Sequence, residues 1–486
     1  MLIKRILKLK QYILVVGILF CAFVVAREAL LVKKSQDLNI VLISIDALRP
    51  DHMSAYGYSK DTTPNIKAWG KNAFVFTNTT TMVPMTIGSF SILMTGRTPF
   101  DSRIADNFSP PPTLFNKTLA TRLSEYGYDT AAFVTNAGSL SQGFKEFKTH
   151  LFKYPVSVYN SERYEENSKS NYLSFIQSSL NWIKNHKNRK FFTWIHLMDT
   201  HTPYFPSSDL RCKFNPKYCS QINNKSLDDL DSLRAEYQLC QQGDVPKERI
   251  ELMETLYDGE VASADRIVGK ILQTLKNEGL NKNTIVILYG DHGEGFDHNY
   301  YFNHREVLYN SAVKIPLIIK HPLFANGKKI NTQIQNLDIL PTILDLVRIP
   351  IEPANLSGTS FANIFSRFPL NLIPARSSVF KYYVNSDWTK FAVSDGRHKY
   401  IYSLPRACLN NNKVEELYDL KNDVDEVDNI VNKNSSMLDN LRKNLFNYLS
   451  VYNLPQMSRA STVDSSYIPQ NKVNQKVDDD LRSIQY

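Results

Sequence analysis

The stretch NIVLISID, Asn39 to Asp46, is an almost unbroken apolar run that ends on a carboxylate. A strand with one wet face alternates apolar and polar residues. This one does not, so it reads as a strand buried on both faces, as in parallel sheets. The polar segment ALRPDHMSAYGY that follows is loop chemistry. The pattern then recurs. Helical stretches over Thr118–Tyr126, Ser170–Lys184 and Glu254–Lys276 precede the apolar runs YDTAAFVTN (Tyr128–Asn136), FFTWIHL (Phe191–Leu197) and NTIVILYGD (Asn283–Asp291). Helices alternating with buried strands predict an α/β fold, a large mostly parallel sheet sandwiched by helices. In such sheets functional groups gather where strands end at their carboxyl edge.

Outward from this frame, the first 35 residues differ in kind. Lys4, Arg5, Lys8 and Lys10 precede an apolar run from Tyr12 to Ala26, and Arg27, Glu28, Lys33 and Lys34 follow it. The run predicts an uncleaved signal-anchor over 1–35, with a cleaved signal peptide as the alternative, since no small-x-small site closes it. Either way the basic flank predicts a membrane-associated chain with its bulk outside the cytoplasm. The catalytic domain is expected over 36–350, with a polar, aperiodic insertion at 204–249. A smaller antiparallel sheet with a helix at Ser436–Leu449 is expected over 351–455, including a hairpin, Phe391–Ser403, that turns at Asp395-Gly396. A loose polar tail occupies 456–486.

Apolar residues make up 43% and charged residues 22% of the 486, a globular composition rather than a disordered one. The net charge of +9 is spread along the chain without a nucleic-acid motif, which leaves a solvated basic surface or an anionic ester substrate and excludes a nucleic-acid partner. Cys212 and Cys219 are close enough to form a disulfide or to remain free buried thiols. With Cys240 and Cys408 they match no zinc pattern.

Three strand ends deliver polar residues that could converge: Asp46, the pair Asp291-His292 in YGDHGEGF, and His201 in HLMDTHTPY. An aspartate after a strand also reads as a helix cap or turn former, but a carboxylate beside an imidazole can share one divalent ion. In VPMTIGSFSILMTGR (Val83–Arg97), Thr86 stands just before a short helical run. It reads either as an N-cap or as a hydroxyl placed where a helix start favours an anion and a metal would make it a nucleophile.

The order of these segments resembles the sulfatase family, the sulfatase-like branch of the alkaline phosphatase superfamily. The resemblance rests on Asp46-x-Leu-Arg-Pro-Asp-His, YGY, TTPNI, LMTGR, HTPY, DHGEGF, a later histidine with IPLII, and EELYDLKNDVDEVDN (Glu415–Asn429), and so spans about Asn39 to Leu449. By position it implies Asp46, Asp291, His292 and Thr86 as ligands of one divalent metal ion (calcium, magnesium, manganese or zinc), with Thr86 also the nucleophile. It implies His201 and His304 as the residues that touch the ester oxygens or protonate the leaving group. Arg49 and His298 are further substrate contacts or exposed loop residues, and Ser89 and Ser91 are the nearest substitutes for Thr86. Two departures stand out. Ala47 follows Asp46 where many relatives pair two aspartates, and Thr86-Ile87-Gly88-Ser89-Phe90 replaces the Cys/Ser-x-Pro/Ala-x-Arg motif that is modified to formylglycine, so no formylglycine is expected. The implied activity is a metal-dependent hydrolase of sulfate or phosphate esters, with phosphoryl chemistry favoured by the threonine. A membrane phosphoethanolamine- or phosphoglycerol-type transferase and a catalytically inactive binding protein are the alternatives.

Overall fold

Every residue of β1 (Asn39–Ile45) is buried in the computed structural model of the protein, and the alternation hidden in its sequence lies between two cores rather than between core and water. Val41, Ile43 and Ile45 join one apolar cluster and Ile40 and Leu42 another. Fully burying each such side chain contributes about 1.5–3 kcal/mol, and the two polar residues of the strand, Asn39 and Ser44, are buried as well. The residues described are 16, 33–102, 117–135, 140–150, 161–223, 225, 245–298, 300–304, 307–324, 327–352, 356–365, 379–384, 388–405 and 414–451. Most of the predicted anchor, residues 226–244 of the predicted insertion and the tail 456–486 lie outside them. Among the described residues no helix is long and apolar enough to cross a membrane.

β1 sits inside an eight-stranded sheet with β2 (Phe74–Phe76), β3 (Asp129–Thr135), β4 (Glu146–His150), β5 (Phe191–Leu197), β6 (Thr284–Gly290), β7 (Leu317–Lys320) and β8 (Lys328–Ile330). Their order is β8-β2-β7-β6-β1-β5-β3-β4. β7 runs antiparallel to both neighbours and the other pairs are parallel, as expected of a mostly parallel sheet. Helices cover both faces. α1 (Thr86–Thr95), α2 (Leu119–Glu125) and α5 (Ile339–Leu346) pack on the Ile40 and Leu42 side; α3 (Ser161–Asn185) and α4 (Lys247–Asn277) pack on the Val41 side. α3 and α4 start earlier than the sequence reading placed them, at Ser161 and Lys247.

A second, antiparallel sheet follows: β9 (Val379–Val384), β10 (Trp388–Ser394), β11 (His398–Pro405) and β12 (Val414–Asp419). β10 and β11 are the predicted hairpin, and Gly396 at its tip takes the positive φ of 94° that favours glycine. One face of this sheet packs on α6 (Ser435–Ser450) through Leu438, Leu441, Leu445 and Leu449. On the other, Ala392, Ile401 and Tyr418 pack on Met82, Val83, Met85 and Ile92, so the small sheet props up the entry to α1. Cys212 and Cys219 form a disulfide, which closes the choice left open by the sequence.

His321, just past β7, is 1% exposed among Phe324 and Phe365, and its Nδ1 accepts from the Leu323 amide. Burial, and then the Arg348 charge, push its imidazole down to about 3. Between about pH 6.5 and 3 the unfolded chain therefore binds a proton that the folded chain refuses. Stability is full above that window and falls as the pH drops into it. His321→Gln keeps an acceptor for Leu323 and should remove about 2 kcal/mol of the stability lost between pH 7 and pH 5. Urea melts of both proteins at the two pH values check this, and equal losses would refute it.

Candidate active site

β6, β1 and β5 are parallel neighbours in matched register, with Ile45 opposite both Leu197 and Gly290. The residues that follow these ends therefore meet at one edge of the sheet. Asp46 extends the ladder by one bond, its N–H to Leu197 O at 2.9 Å, and Asp291 enters from the other side. Between them Ala47 takes φ 51°, a left-handed conformation that costs a non-glycine residue about 1–2 kcal/mol. The fold holds it there. Its N–H donates to Asp291 Oδ1 at 3.0 Å, and its carbonyl accepts from the Tyr257 hydroxyl of α4 at 2.6 Å. On the far side, Gly293 is obligatory, because a Cβ there would lie 1.8 Å from Ser311 O.

Thr86 is the first residue of α1 rather than the residue before it, and Met85 occupies the cap position. The N-cap alternative for Thr86 is thus corrected: its hydroxyl caps nothing. It donates instead to Asp46 Oδ2 at 3.4 Å and lies 3.2 Å from His292 Nε2. His292 Nδ1 must donate to Gly293 O at 2.9 Å, since a carbonyl can only accept, so Nε2 carries the lone pair. That atom lies 3.5 Å from Asp46 Oδ1 and 3.4 Å from Asp291 Oδ2. Adjacent ligands of one ion stand about 3.0–3.7 Å apart for metal–ligand distances of about 2.1–2.6 Å. The four residues predicted to share a cation are thus together and spaced as ligands.

Burial alone would lift the Asp46 carboxyl, but the imidazoles of His201, His196 and His292 hold it far below the usual carboxylate range. Asp291 is pushed well above that range, by burial first and then by the Asp46 charge. Two buried carboxylates this close cannot both ionise unless positive charge joins them. Asp46 Oδ1 and Asp291 Oδ2 are also buried with no hydrogen-bond partner, and unpaired buried carboxylate oxygens are costly. The residues present therefore fit a divalent cation. Thr86, 7% exposed against 0–1% for Asp46, Asp291 and His292, holds the outer position.

His201 and His304 border this cluster. The His304 ring stacks on His292 with centroids 4.0 Å apart, and His201 meets His304 edge-on at 5.7 Å. His201 Nδ1 lies 2.6 Å from Thr202 O and His304 Nδ1 3.4 Å from Glu294 Oε1, contacts that orient the two rings. Arg49 and His298 do not join them. Arg49 is 8% exposed and spent on Asp51, with hydrogen bonds at 2.7 and 3.0 Å, and on Glu294 O at 2.9 Å. His298 bridges Asp297 Oδ1 at 2.6 Å and Glu426 O at 3.1 Å, a brace to the second sheet. Ser89 cannot replace Thr86, because its hydroxyl is locked between Tyr289, 2.6 Å away, and Asp291 O, 2.8 Å away. Ser91 is wholly buried.

Two residues went unnoticed in the sequence. His196, the sixth residue of β5, has Nε2 3.4 Å from Asp46 Oδ2; ligand atoms of Asp46, His196 and Asp291 all lie within 4.8 Å of one another. A lone histidine in an apolar strand gives no signal beyond its polarity. Glu294 is wholly buried, takes the Tyr204 hydroxyl at 2.9 Å, and positions His304; it was hidden inside DHGEGF.

Comparison with known proteins sets this site in context. The family model described as Sulfatase matches residues 38–349, and one described as N-sulphoglucosamine sulphohydrolase, C-terminal, matches 296–451. An arylsulfatase of Clostridium perfringens is 23% identical over 474 residues, covering 85% of this chain and 94% of that protein. The alignment with arylsulfatase K of Bos taurus, 27% identical, spans 43% of this chain and 39% of the relative. Among solved structures, a protein bound to its substrate D-glucosamine-2-N,6-O-disulfate superposes with a TM-score of 0.70 at 18% identity, over 87% of this chain and 100% of that one. The phosphonate monoester hydrolase of Agrobacterium radiobacter does so with a TM-score of 0.63 at 17% identity, over 85% and 96%.

Proposed function

The chain belongs to the sulfatase family, and from that premise we propose that it is a metal-dependent hydrolase of a sulfate or phosphate ester that uses Thr86 as its nucleophile, outside the cytoplasm and tethered by its N-terminal segment. The observation that carries this reading is the placement of the Thr86 hydroxyl, 3.4 Å from Asp46 and 3.2 Å from His292, at the outer edge of a buried acid–imidazole cluster. The basic flank and apolar run of residues 1–35 support the tether and the export.

Asp46, Asp291, His292 and Thr86 would hold the cation. When bound, it would lower the hydroxyl's pKa and neutralise charge on the nonbridging oxygens of the ester. The chain's own groups do the rest. Thr86 Oγ1 releases its proton toward Asp46 Oδ2 and forms a bond to sulfur or phosphorus as the bond to the leaving oxygen breaks. His304, held by Glu294, or His201 beside it, supplies the proton that the departing alcohol needs. The same imidazole then takes a proton from water, the water oxygen displaces Thr86 Oγ1, and Asp46 returns the proton that restores the hydroxyl. Thr86 opens α1, and a helix start favours an anion beside it. Threonine cannot be oxidised to an aldehyde, because its Cβ bears a methyl group, so the cycle uses the native hydroxyl.

The relatives named as sulfatases favour a sulfate monoester; the native threonine and the phosphonate hydrolase's fold favour phosphoryl transfer. A paired screen of sulfate and phosphate mono- and diesters with the full chain decides between them. Turnover of at least one class, lost on chelation, is expected. A protein that loads metal yet turns over none of the panel would end the hydrolase reading.

A further inference from the structure

The metal reading leaves one buried donor atom unexplained. His196 is 0% exposed, and its Nε2 has no hydrogen-bond partner. Its ring is fixed from both sides. Nδ1 lies 3.0 Å from Ser44 Oγ, which in turn accepts from Trp194 Nε1 at 2.8 Å. The edge of Phe90, where the modified motif of relatives carries an arginine, meets the ring at 4.8 Å and 77°. Nε2 thereby lies beside Asp46 and Asp291, whose Oδ1 and Oδ2 respectively are two more unpartnered buried atoms. An N–H there would meet only Asp46 Oδ2, 3.4 Å away, whereas a bare nitrogen with Nδ1–H held by Ser44 is the form in which imidazole binds metals. Ala47 brings no carboxylate to this space.

We propose that His196 is itself a ligand of the cation held by Asp46, Asp291 and His292, completing a set of two imidazoles and two carboxylates that selects zinc or manganese over calcium or magnesium. The proposal rests on the metal-site reading above. Two carboxylates balance the charge of a divalent ion. Two imidazoles are poor ligands for calcium and magnesium, which take oxygen donors, and suit borderline transition ions.

Two measurements on the chelator-stripped full chain test it. Equilibrium dialysis against Zn²⁺, Mn²⁺ and Ca²⁺ separately should show calcium binding at least about 100-fold more weakly than zinc. His196→Gln should weaken zinc binding by at least about 100-fold, and Ser44→Ala, which removes the support of the ring together with the acceptor of Trp194 Nε1, by about 10-fold. Should His196→Gln misfold, nitrogen-15 histidine spectra of the unaltered chain give the answer: zinc should shift the Nε2 resonances of two buried histidines. A shift confined to one histidine, or calcium binding as tightly as zinc, overturns the assignment of His196 while leaving the shared site of Asp46, Asp291 and His292 standing. Absence of binding by any of the three ions overturns both.

Discussion

Replacing Thr86 by alanine is expected to reduce turnover by at least about 10³-fold, the scale seen when a nucleophile is removed from a preorganised site, while metal binding weakens only modestly. The fold should survive. Thr86 is the first residue of α1, where its side chain caps nothing, and alanine is the better helix former. Its lost contacts are one hydrogen bond of 3.4 Å to Asp46 and a 3.2 Å approach to His292. Thr86→Ser keeps the hydroxyl and should retain measurable turnover. Rates of the three proteins on one ester, with melting temperatures alongside, make the comparison. Full activity in the alanine variant would remove Thr86 from the chemistry. Ser89 could not step in, because its hydroxyl is held by Tyr289 and the Asp291 carbonyl.

Stripping the metal should have the next largest effect, and its sign can be separated from ordinary damage. Turnover should fall by at least about 10³-fold on chelation and return on adding the ion back. Binding at a concentration 100 times the Kd stabilises the folded chain by about 2.7 kcal/mol, so the melting temperature should rise with metal and fall with chelator. Asp291→Asn inverts half of that pattern. In the stripped protein Asp291 is a buried carboxyl that burial and the Asp46 charge keep from ionising, so a neutral amide in its place costs little. The stripped variant should therefore melt close to the stripped parent, yet gain little from added metal and turn over nothing. A variant that is less stable than the stripped parent and still gains from metal would mean that Asp291 has a packing role only.

The three strands that carry the site were legible because burial on both faces leaves few polar positions inside them. NIVLISI, FFTWIHL and TIVILYG lie within their predicted spans, and the residues just past their ends meet. The short strands β2, β7 and β8 were not. They have three or four residues each, and the antiparallel course of β7 is set by pairing with Phe74–Phe76 and with β6 rather than by its own pattern. In the site, Asp46, Thr86, Asp291 and His292 came from strand ends and segment order. Arg49 and His298 were offered by the family resemblance as substrate contacts or exposed loop residues, but their polar atoms are consumed by Asp51, Asp297 and the backbone. His196 was missed for the opposite reason. Its partner Ser44 stands opposite it only through the parallel register of β1 and β5, which no local pattern announces.

Anomalous diffraction from crystals of the full chain grown with Mn²⁺ tests the central claim most directly. One strong peak, bounded by Asp46, Asp291 and His292 and touching the Thr86 hydroxyl, is the predicted result. A peak elsewhere, or one that these carboxylates surround while Thr86 Oγ1 turns away, would contradict it.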